Sequence, residues 1–216
     1  MSDSALRRTR IKFCGFTRAS DIDEAVALGV DAIGLILVPQ SPRAVSLERA
    51  AALKRSIPPL VSSVVLLRNP DADLVHAVLA TIRPSLLQFH GEESASFCAS
   101  FGHPYLKAIA MQQQRRTLAE IAADYPSAAA LLLDGHAPGG LGGQGHAFDW
   151  AQATGSVALP VVLAGGIRPD NVAAAIQAAR PYAVDVSSGI EQAPGHKDSG
   201  KMRDFAREVR RADQIS

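Results

Sequence analysis

The chain has 216 residues, a length that suits one large domain or two small ones. Its 22 basic and 21 acidic residues leave a net charge of +1 and are spread along the chain, so no surface for nucleic acid or an acidic membrane is predicted. Apolar residues make up 47% and aromatic residues 5%, so Ala, Val, Ile and Leu must build the core, as in helices packed on a parallel sheet.

The two cysteines, Cys14 and Cys98, match no metal-binding spacing. No signal-peptide core follows the start of the chain, and no apolar run approaches the roughly 20 residues that a membrane helix needs. We therefore expect a cytoplasmic protein with reduced thiols and no membrane contact. The basic residues near the start favour a flexible leader over residues 1–9.

Short β-branched runs alternate with longer helical segments, which is the pattern of repeated strand–helix units. Ser20 is expected to cap the first helix and Gly29 to end it, Ser46 to open the second, and Pro70 to stand in the first turn of the third. Later helices are expected around Cys98 and over 115–124, 169–179 and 199–211. Eight strands are predicted over 11–17, 31–37, 60–67, 85–90, 105–110, 129–134, 160–166 and 182–189.

Eight strands that are each followed by a helix predict a single α/β domain over residues 1–216. The expected architecture is a (β/α)8 or TIM barrel, with eight parallel strands inside a ring of helices. An open doubly wound sheet is the competing architecture, but the sequence lacks its Gly-x-Gly-x-x-Gly turn after the first strand. No shift in composition marks a boundary between domains.

The first strand, IKFCGFT, carries an unusual pair of residues. Because side chains alternate along a strand, Lys12 and Cys14 share a face, and if that face is the barrel interior then Ile11 and Phe13 point to the helices. A lysine in the interior needs a partner. Asp185 is the candidate, since the eighth strand closes beside the first. The alternative is that Lys12 stands in solvent at a frayed strand end.

Active sites of such barrels lie at the C-terminal ends of the strands, and phosphate usually binds at the loops after strands seven and eight. Asp134 ends the apolar run LLLD, so partial desolvation should raise its pKa and make it a usable general acid; a loop or helix cap is the alternative. Glycine and serine residues follow the last two strands, and their backbone N–H groups could bind a phosphate. The alternative is that they simply form turns. These residues are Gly165, Gly166, Ser187, Ser188 and Gly189.

Two further residues are candidates for the pocket. Arg43, in the loop after the second strand, can hold a substrate carboxylate in bidentate fashion, although a lone loop arginine is usually solvated. His90 shares a strand face with Gln88 and is expected to be a hydrogen-bonded pocket residue rather than the catalyst. Cys98 lies within a helix among Ser, Phe and Ala and is expected to serve in packing.

Taken together, these segments resemble the phosphoribosylanthranilate isomerase family of tryptophan biosynthesis. The resemblance implies a TIM barrel that converts N-(5-phosphoribosyl)anthranilate into 1-(2-carboxyphenylamino)-1-deoxyribulose 5-phosphate by an Amadori rearrangement. The matching segments run in the family's order over nearly the whole chain, roughly Arg10 to Phe205: IKFCGFT, DAIGLIL…SPRAVS, LLQFHGEE, LLLDGHAPGGLGGQGHAFDW, VVLAGGIRPDNVAAAI and AVDVSSGIEQAPGHKD.

The resemblance implies that Cys14 is the general base and Asp134 the general acid, that Arg43 meets the anthranilate carboxylate, and that the loops after strands seven and eight hold the phosphate. No metal or organic cofactor is expected, because the iminium formed on ring opening is itself an electron sink. Independently of the family, we expect Lys12 to lower the pKa of the Cys14 thiol. A small phosphorylated substrate is the expected partner, and the chain is expected to be a monomer.

The chain departs from the family pattern at three places. The first segment has Phe13 and Phe16 where isoleucine is more usual. In the glycine-rich loop, Gln144, His146 and Ala147 replace a threonine and a lysine–threonine pair. The third strand ends in LLRNP and lacks the more usual phenylalanine.

Two alternatives to the isomerase are open on the sequence. A lyase similar to indole-glycerol-phosphate synthase would bind the same product phosphate, but the lysine and glutamate arrangement of that family is not visible. A barrel kept only to bind a phosphorylated metabolite predicts degraded acid and base positions, whereas Cys14 and Asp134 are both present.

Overall fold

A computed structural model describes residues 8–136, 148–153 and 157–215. Within these residues eight parallel strands form a closed barrel in chain order, and the eighth pairs with the first. The predicted TIM barrel is therefore confirmed. The strands are Arg10–Cys14 (β1), Ala32–Ile36 (β2), Ser62–Leu67 (β3), Leu86–Phe89 (β4), Tyr105–Ala110 (β5), Ala130–Asp134 (β6), Val161–Leu163 (β7) and Ala183–Val186 (β8).

Helices surround the barrel and alternate with its strands. A short 3-10 helix, Trp150–Ala153, lies between β6 and β7, and another, Ser188–Ile190, follows β8. An antiparallel pair of short strands, Glu191–Ala193 (β9) and His196–Lys197 (β10), leads into the last helix. The α-helices are Ala19–Ala27 (α1), Leu47–Lys54 (α2), Ala72–Thr81 (α3), Ala95–Ala99 (α4), Leu118–Asp124 (α5), Val172–Ala179 (α6) and Ser199–Ile215 (α7).

The start of α1 differs from the prediction. The helix begins after Arg18, so Ser20 lies inside its first turn and does not cap it. The buried Asp21 carboxylate accepts hydrogen bonds from the Arg18 side chain at 3.0 Å and from the backbone N–H of Lys197 at 3.1 Å. The contact with Lys197 comes from a residue 176 positions away, so a local capping pattern cannot reveal it. Gly29 follows the end of the helix with a φ of 73°, as predicted.

The starts of α2 and α3 depend on side-chain caps. Ser46 caps α2 by accepting a hydrogen bond from the backbone N–H of Arg49, as predicted. The cap of α3 is Asp71, whose carboxylate accepts from the backbone N–H of Leu74. Pro70 therefore precedes the cap instead of standing in the first turn, because the acidic side chain beside it accepts from one of the free N–H groups of the helix.

The side chains of β1 alternate between two environments, as predicted. Ile11 and Phe13 belong to the main apolar core between strands and helices, where the Phe13 ring meets that of Phe205 in α7 edge to face at 5.7 Å. Lys12 is buried on the other face of the strand. A second, smaller apolar cluster of alanine, valine and leucine side chains fills the barrel interior: Val64, Leu106, Ala108, Ala130, Leu132, Val162, Ala164 and Ala183.

Residues 1–7 of the expected leader lie outside the described residues. Its last two residues contact the body of the protein: Arg8 donates from Nη1 to Asp31 at 2.8 Å, and the Thr9 hydroxyl donates to Asp213 of α7 at 2.7 Å. Among the helices that the structure describes, none has the length and apolar character that crossing a membrane requires.

Candidate active site

A cavity of about 450 Å³ opens where the C-terminal ends of the barrel strands meet their loops. Lys12 does not line this cavity but lies beneath it, two residues before Cys14 on the same face of β1. Gly189 does not line the cavity either, but it packs against Ile167, which does. The cavity brings together the other residues predicted from the sequence: Cys14, Arg43, His90, Asp134, Gly165, Gly166, Asp185, Ser187 and Ser188.

Lys12 and Asp185 form an ion pair inside the barrel. They lie opposite one another in the register of β1 and β8, and Nζ of Lys12 donates to Oδ1 of Asp185 at 2.8 Å. Their side chains are 5% and 10% exposed. The predicted pairing is confirmed, and the alternative of a solvated lysine is excluded.

Cys14 ends β1 and is buried. Burial raises the pKa of its thiol above the ordinary value. Lys12 opposes this effect, the Asp185 carboxylate adds to it, and Lys197 opposes it again. Lys12 thus acts in the expected direction, but the net shift is upward because desolvation is the largest effect.

Gly34 in β2 leaves the space that the Cys14 side chain occupies. The two residues are paired in the register of β1 and β2. A Cβ atom on Gly34 would lie 2.5 Å from the Cys14 sulfur, far inside van der Waals contact. A residue with any side chain at position 34 would therefore displace the thiol.

Arg43 is buried and bound to Glu191. Its Nε atom donates to Oε1 at 2.8 Å, and its Nη2 atom donates to Oε2 at 2.8 Å. The guanidinium thus uses one bidentate edge for a carboxylate of the chain itself. Arg43 also lines the cavity. That Arg43 binds a substrate carboxylate stays a prediction. Such a contact would use the N–H groups of the guanidinium that Glu191 leaves free.

Lys197 joins the Arg43–Glu191 ion pair to the backbone of Cys14. Its Nζ atom donates to Oε1 of Glu191 at 2.9 Å and to the backbone carbonyls of Cys14 at 2.6 Å and Ser187 at 3.2 Å. Burial lowers the pKa of Lys197, although Glu191 works against this. Burial alone would raise the pKa of Glu191, but hydrogen bonding from Arg43 and the charge of Lys197 hold it below its usual value.

Glu191 and Lys197 were not predicted from the sequence. Opposite charges on either side of the Pro–Gly turn in GIEQAPGHKD were the available signal. That turn pairs β9 with β10, and Lys197 lies opposite Glu191 in the register. The hairpin directly after β8 thus brings the Glu191 carboxylate and the Lys197 ammonium group together, where they can support the mouth of the barrel.

Asp134 ends β6 between two histidines. Nε2 of His90 lies 3.4 Å from Oδ2 of Asp134, and Nδ1 of His136 lies 3.5 Å from Oδ1. Both distances are long for hydrogen bonds. The two imidazole rings lie roughly parallel, with their centroids 5.0 Å apart. His136 was missed in the sequence, although its place two residues after Asp134 was visible.

The ionisation of Asp134 differs from the expectation. Burial alone would raise its pKa, as the apolar run LLLD suggested. However, the neighbouring imidazoles of His136 and His90 favour the ionised carboxylate, outweigh burial and hold the pKa of Asp134 well below its usual range. The expected raised pKa is therefore wrong for the chain without substrate, because the run did not reveal which polar groups face the carboxylate.

The loops after β7 and β8 are shaped by glycines and pack closely. Gly165 and Gly166 have φ angles of 74° and 67°. A Cβ atom on Gly165 would clash with the backbone of Gly135, and one on Gly189 would clash with the carbonyl of Ile167. The Ser187 hydroxyl is buried and has no hydrogen-bond partner among the residues described here. These loops therefore offer N–H groups and an uncommitted hydroxyl to the cavity.

The glycine-rich loop after β6 begins at the cavity. Residues 137–147 lie outside the described residues, including Gln144, His146 and Ala147. Asp134, Gly135 and His136, which begin the loop, are described, and the cavity is defined without the rest.

Comparisons with known proteins identify relatives over almost the whole chain. The family model described as N-(5'phosphoribosyl)anthranilate (PRA) isomerase matches residues 11–208. The N-(5'-phosphoribosyl)anthranilate isomerase of Stenotrophomonas maltophilia (strain R551-3) is 54% identical over 207 residues, which cover 95% of each chain.

Solved structures agree with this result. A phosphoribosyl anthranilate isomerase from Thermus thermophilus superposes with a TM-score of 0.83 at 36% identity and covers 94% of this chain and 99% of its own. Another has a TM-score of 0.79 at 31% identity, with 94% and 98% coverage. That protein was crystallised in complex with reduced 1-(o-carboxyphenylamino)-1-deoxyribulose 5-phosphate.

Proposed function

The chain belongs to the N-(5'-phosphoribosyl)anthranilate isomerase family, and we propose that Cys14 and Asp134 are the base and the acid of the reaction. The enzyme converts N-(5-phosphoribosyl)anthranilate into 1-(2-carboxyphenylamino)-1-deoxyribulose 5-phosphate in tryptophan biosynthesis. One observation supports the two roles above all others. Cys14 and Asp134 end β1 and β6 and line the same cavity, together with the loops after β7 and β8.

The first step opens the ribose ring. Asp134 gives a proton to the ring oxygen as the bond between that oxygen and C1 breaks, and the electron pair of the anthranilate nitrogen forms the iminium. Asp134 must carry a proton at this stage. The phosphate and carboxylate of the substrate bring negative charge into a buried site, which raises the pKa of Asp134 from its low value in the free enzyme.

The second step moves the double bond. The Cys14 thiolate removes the proton from C2, and the electrons of that C–H bond form a double bond between C1 and C2 as the iminium is neutralised. Reprotonation at C1 then gives the 2-ketose. C2 is oxidised and C1 reduced within one molecule, so the reaction is an intramolecular aldose–ketose interconversion that needs no external electron acceptor.

The rest of the cavity binds the two ends of the substrate. We assign the phosphate to the backbone N–H groups of Gly165, Gly166 and Ser188 and to the free hydroxyl of Ser187. Gly189 contributes indirectly, because its lack of a side chain lets the loop after β8 approach the loop after β7. Arg43 meets the anthranilate carboxylate with the N–H groups that Glu191 leaves free.

A direct assay tests both the activity and the roles. Purified protein is mixed with freshly prepared phosphoribosylanthranilate, and the loss of substrate fluorescence is followed. Cys14→Ser and Asp134→Asn should each lower kcat by roughly 10²- to 10⁴-fold while inorganic phosphate still binds. Cys98→Ser, a buried cysteine of α4, is the matched control and should keep its activity. Near-full kcat in either active-site variant would refute that assignment.

We also propose that the enzyme is a monomer. Among the described residues the large apolar side chains classed as exposed are Leu60 and Tyr182, and the Tyr182 ring is covered by the guanidinium of Arg10 at 4.0 Å. Two separate side chains do not form an apolar patch of the kind that oligomers bury. Light scattering coupled to size-exclusion chromatography would show a mass near 22.7 kDa if this is right, and twice that mass if it is wrong.

We infer a cytoplasmic location from the chemistry of the base. Cys14 is a free cysteine, and the proposed mechanism needs it as a thiolate. A reducing compartment keeps such a thiol from oxidation. Cell fractionation followed by detection of the protein would test this location.

A further inference from the structure

We propose that His90, Asp134 and His136 form a binding site for a divalent transition-metal ion of the zinc class, and that this ion inhibits the isomerase. Each of the three residues offers one ligand atom, and these atoms all lie within 4.8 Å of one another. Two imidazole nitrogens and a carboxylate oxygen are a ligand set that such ions favour. The binding site rests on geometry alone, whereas the inhibition rests on the proposed role of Asp134.

The spacing of the ligand atoms suits a shared ion better than hydrogen bonds. The contacts of the Asp134 carboxylate with His90 and His136 are 3.4 and 3.5 Å long. In a tetrahedral zinc site with bonds of about 2.0–2.1 Å, neighbouring ligand atoms are separated by roughly 3.3–3.4 Å. The two contacts with the carboxylate match that separation, one at each oxygen, and the three ligand atoms, which lie within 4.8 Å of one another, would close up around a shared ion.

The two histidine nitrogens that face the carboxylate need a partner. His90 and His136 are 7% and 9% exposed. Nε2 of His90 and Nδ1 of His136 are buried and have no hydrogen-bond partner within the described part of the chain. A buried polar atom without a partner costs free energy. A bound ion would remove this cost at both nitrogens.

Gln88 can prepare His90 for the ion. Its Nε2 atom lies 3.0 Å from Nδ1 of His90, while its buried Oε1 atom has no partner among the described residues. The two ends of a glutamine amide exchange by a half-turn of the side chain. That turn places Oε1 at Nδ1 of His90, so Nδ1 carries the proton and the lone pair of Nε2 is free for a metal.

An ion can reach this site from solvent. His90 and Asp134 line the main cavity, and His90 and His136 line a neighbouring cavity of about 240 Å³. Three protein ligands leave a coordination position for water. A carboxylate bound to a cation cannot hold the proton that ring opening requires, so occupancy of the site should stop the reaction.

Binding is tested first without any enzymatic readout. Zinc sulfate is titrated calorimetrically into the full-length Cys14→Ser variant after removal of metal by a chelator, which excludes coordination by the active-site thiol. His136→Asn in the same background should weaken zinc binding at least tenfold. His103→Asn is the matched control, since His103 contacts the carbonyl of Pro84, and it should bind zinc as before.

Gln88 provides a second arm. Gln88→Glu offers a stronger acceptor to Nδ1 of His90 and should tighten zinc binding, whereas Gln88→Leu should weaken it by roughly 10- to 100-fold. An affinity that is the same in the His136→Asn and His103→Asn variants, or the same in both Gln88 variants, would overturn the site.

Activity is measured separately on the enzyme with Cys14 intact. Zinc should reduce turnover with a midpoint that follows the calorimetric Kd, and His136→Asn, compared with its own metal-free rate, should resist zinc. Zinc that binds at this site without slowing turnover would overturn the inhibition. If metal-free enzyme shows no turnover, the proposed function fails, and the titration still decides whether the site exists.

Discussion

The ammonium group of Lys197 donates a hydrogen bond to the backbone carbonyl of Cys14 at 2.6 Å. Cys14, at the end of the first strand, is thus held by a residue that follows the last strand of the barrel. The same ammonium group binds Glu191, which in turn holds Arg43. The support of the Cys14 backbone and the orientation of Arg43 therefore depend on one buried network.

The reactivity of Cys14 should depend on Lys12 and Lys197. Both lower the pKa of the thiol against the larger effect of burial, so Lys12→Met and Lys197→Met should each raise that pKa. In the proposed mechanism Cys14 acts as a thiolate, so the rise of kcat/KM with pH should move to higher pH in both variants. Thiol alkylation rates and the pH dependence of kcat/KM give two independent measurements. Lys54→Met at the end of α2 is the control, and an unchanged thiol pKa in Lys12→Met would refute the role of Lys12.

The Glu191→Gln substitution should destabilise the fold at neutral pH. It leaves the buried cations of Arg43 and Lys197 without their carboxylate, and breaking a buried ion pair in this way costs about 3–5 kcal/mol. The free energy of unfolding in urea measures this loss. Glu48→Gln in α2, where the carboxylate is exposed, should change stability far less. A loss of the same size in both variants would contradict the structural role of Glu191.

Acid should remove the contribution of Glu191 to stability. Its pKa is lowered in the folded protein from an ordinary value of 4.5, so the unfolded chain binds a proton at this residue at higher pH than the folded chain does. The stabilisation is fully present above pH 4.5 and is lost as the pH falls through the lower folded value. The difference in unfolding free energy between wild type and Glu191→Gln should therefore shrink below pH 4.5. A difference that is constant down to the acid unfolding transition would show that the pKa is not lowered.

The Gly34→Ala substitution should impair catalysis more than folding. The added methyl group lies 2.5 Å from the Cys14 sulfur and must push the thiol out of its position. We expect kcat to fall at least tenfold, while overpacking costs roughly 1–3 kcal/mol of stability. Gly200→Ala in α7, where the nearest atom to the new methyl group is 3.1 Å away, is the comparison. Full kcat in Gly34→Ala would mean that the thiol position is not critical.

The Gly189→Ala substitution should weaken the binding of phosphate. Its methyl group would meet the carbonyl of Ile167 and force the β8 loop away from the β7 loop. KM should rise and the affinity for inorganic phosphate should fall by roughly tenfold, with a smaller effect on kcat because the acid and base are not moved. Isothermal titration with phosphate and steady-state kinetics measure the two quantities. A fall in kcat at unchanged KM would argue against this role of Gly189.

The features that the sequence could predict are those that follow from periodicity and from barrel closure. The alternation of short strands and helices indicated eight strand–helix units, and the inward face of β1 followed from the two-residue repeat. Because the eighth strand must close beside the first, Asp185 could be matched to Lys12 across 173 residues. No local pattern links these two positions, so knowledge of the fold was essential.

The features that could not be predicted depend on side chains brought together by the loops. The low pKa of Asp134 results from His136 and from His90, which directly follows β4, and neither orientation is encoded in LLLD. Likewise, Arg43 finds its partner in a hairpin 148 residues later. Asp71 caps α3 in place of the predicted start at Pro70, and there the local sequence did hold the answer.

The pairing of Lys12 with Asp185 also bears on how the protein matures as it leaves the ribosome. The ribosome adds Lys12 early and Asp185 only after 172 further residues. A nascent chain that stops before β8 therefore has a cation in β1 without the carboxylate that neutralises it. Growing half-barrels should therefore leave β1 undocked, and ring closure and charge neutralisation become one late event. Pulse proteolysis of stalled nascent chains would show β1 protected only after Asp185 has emerged.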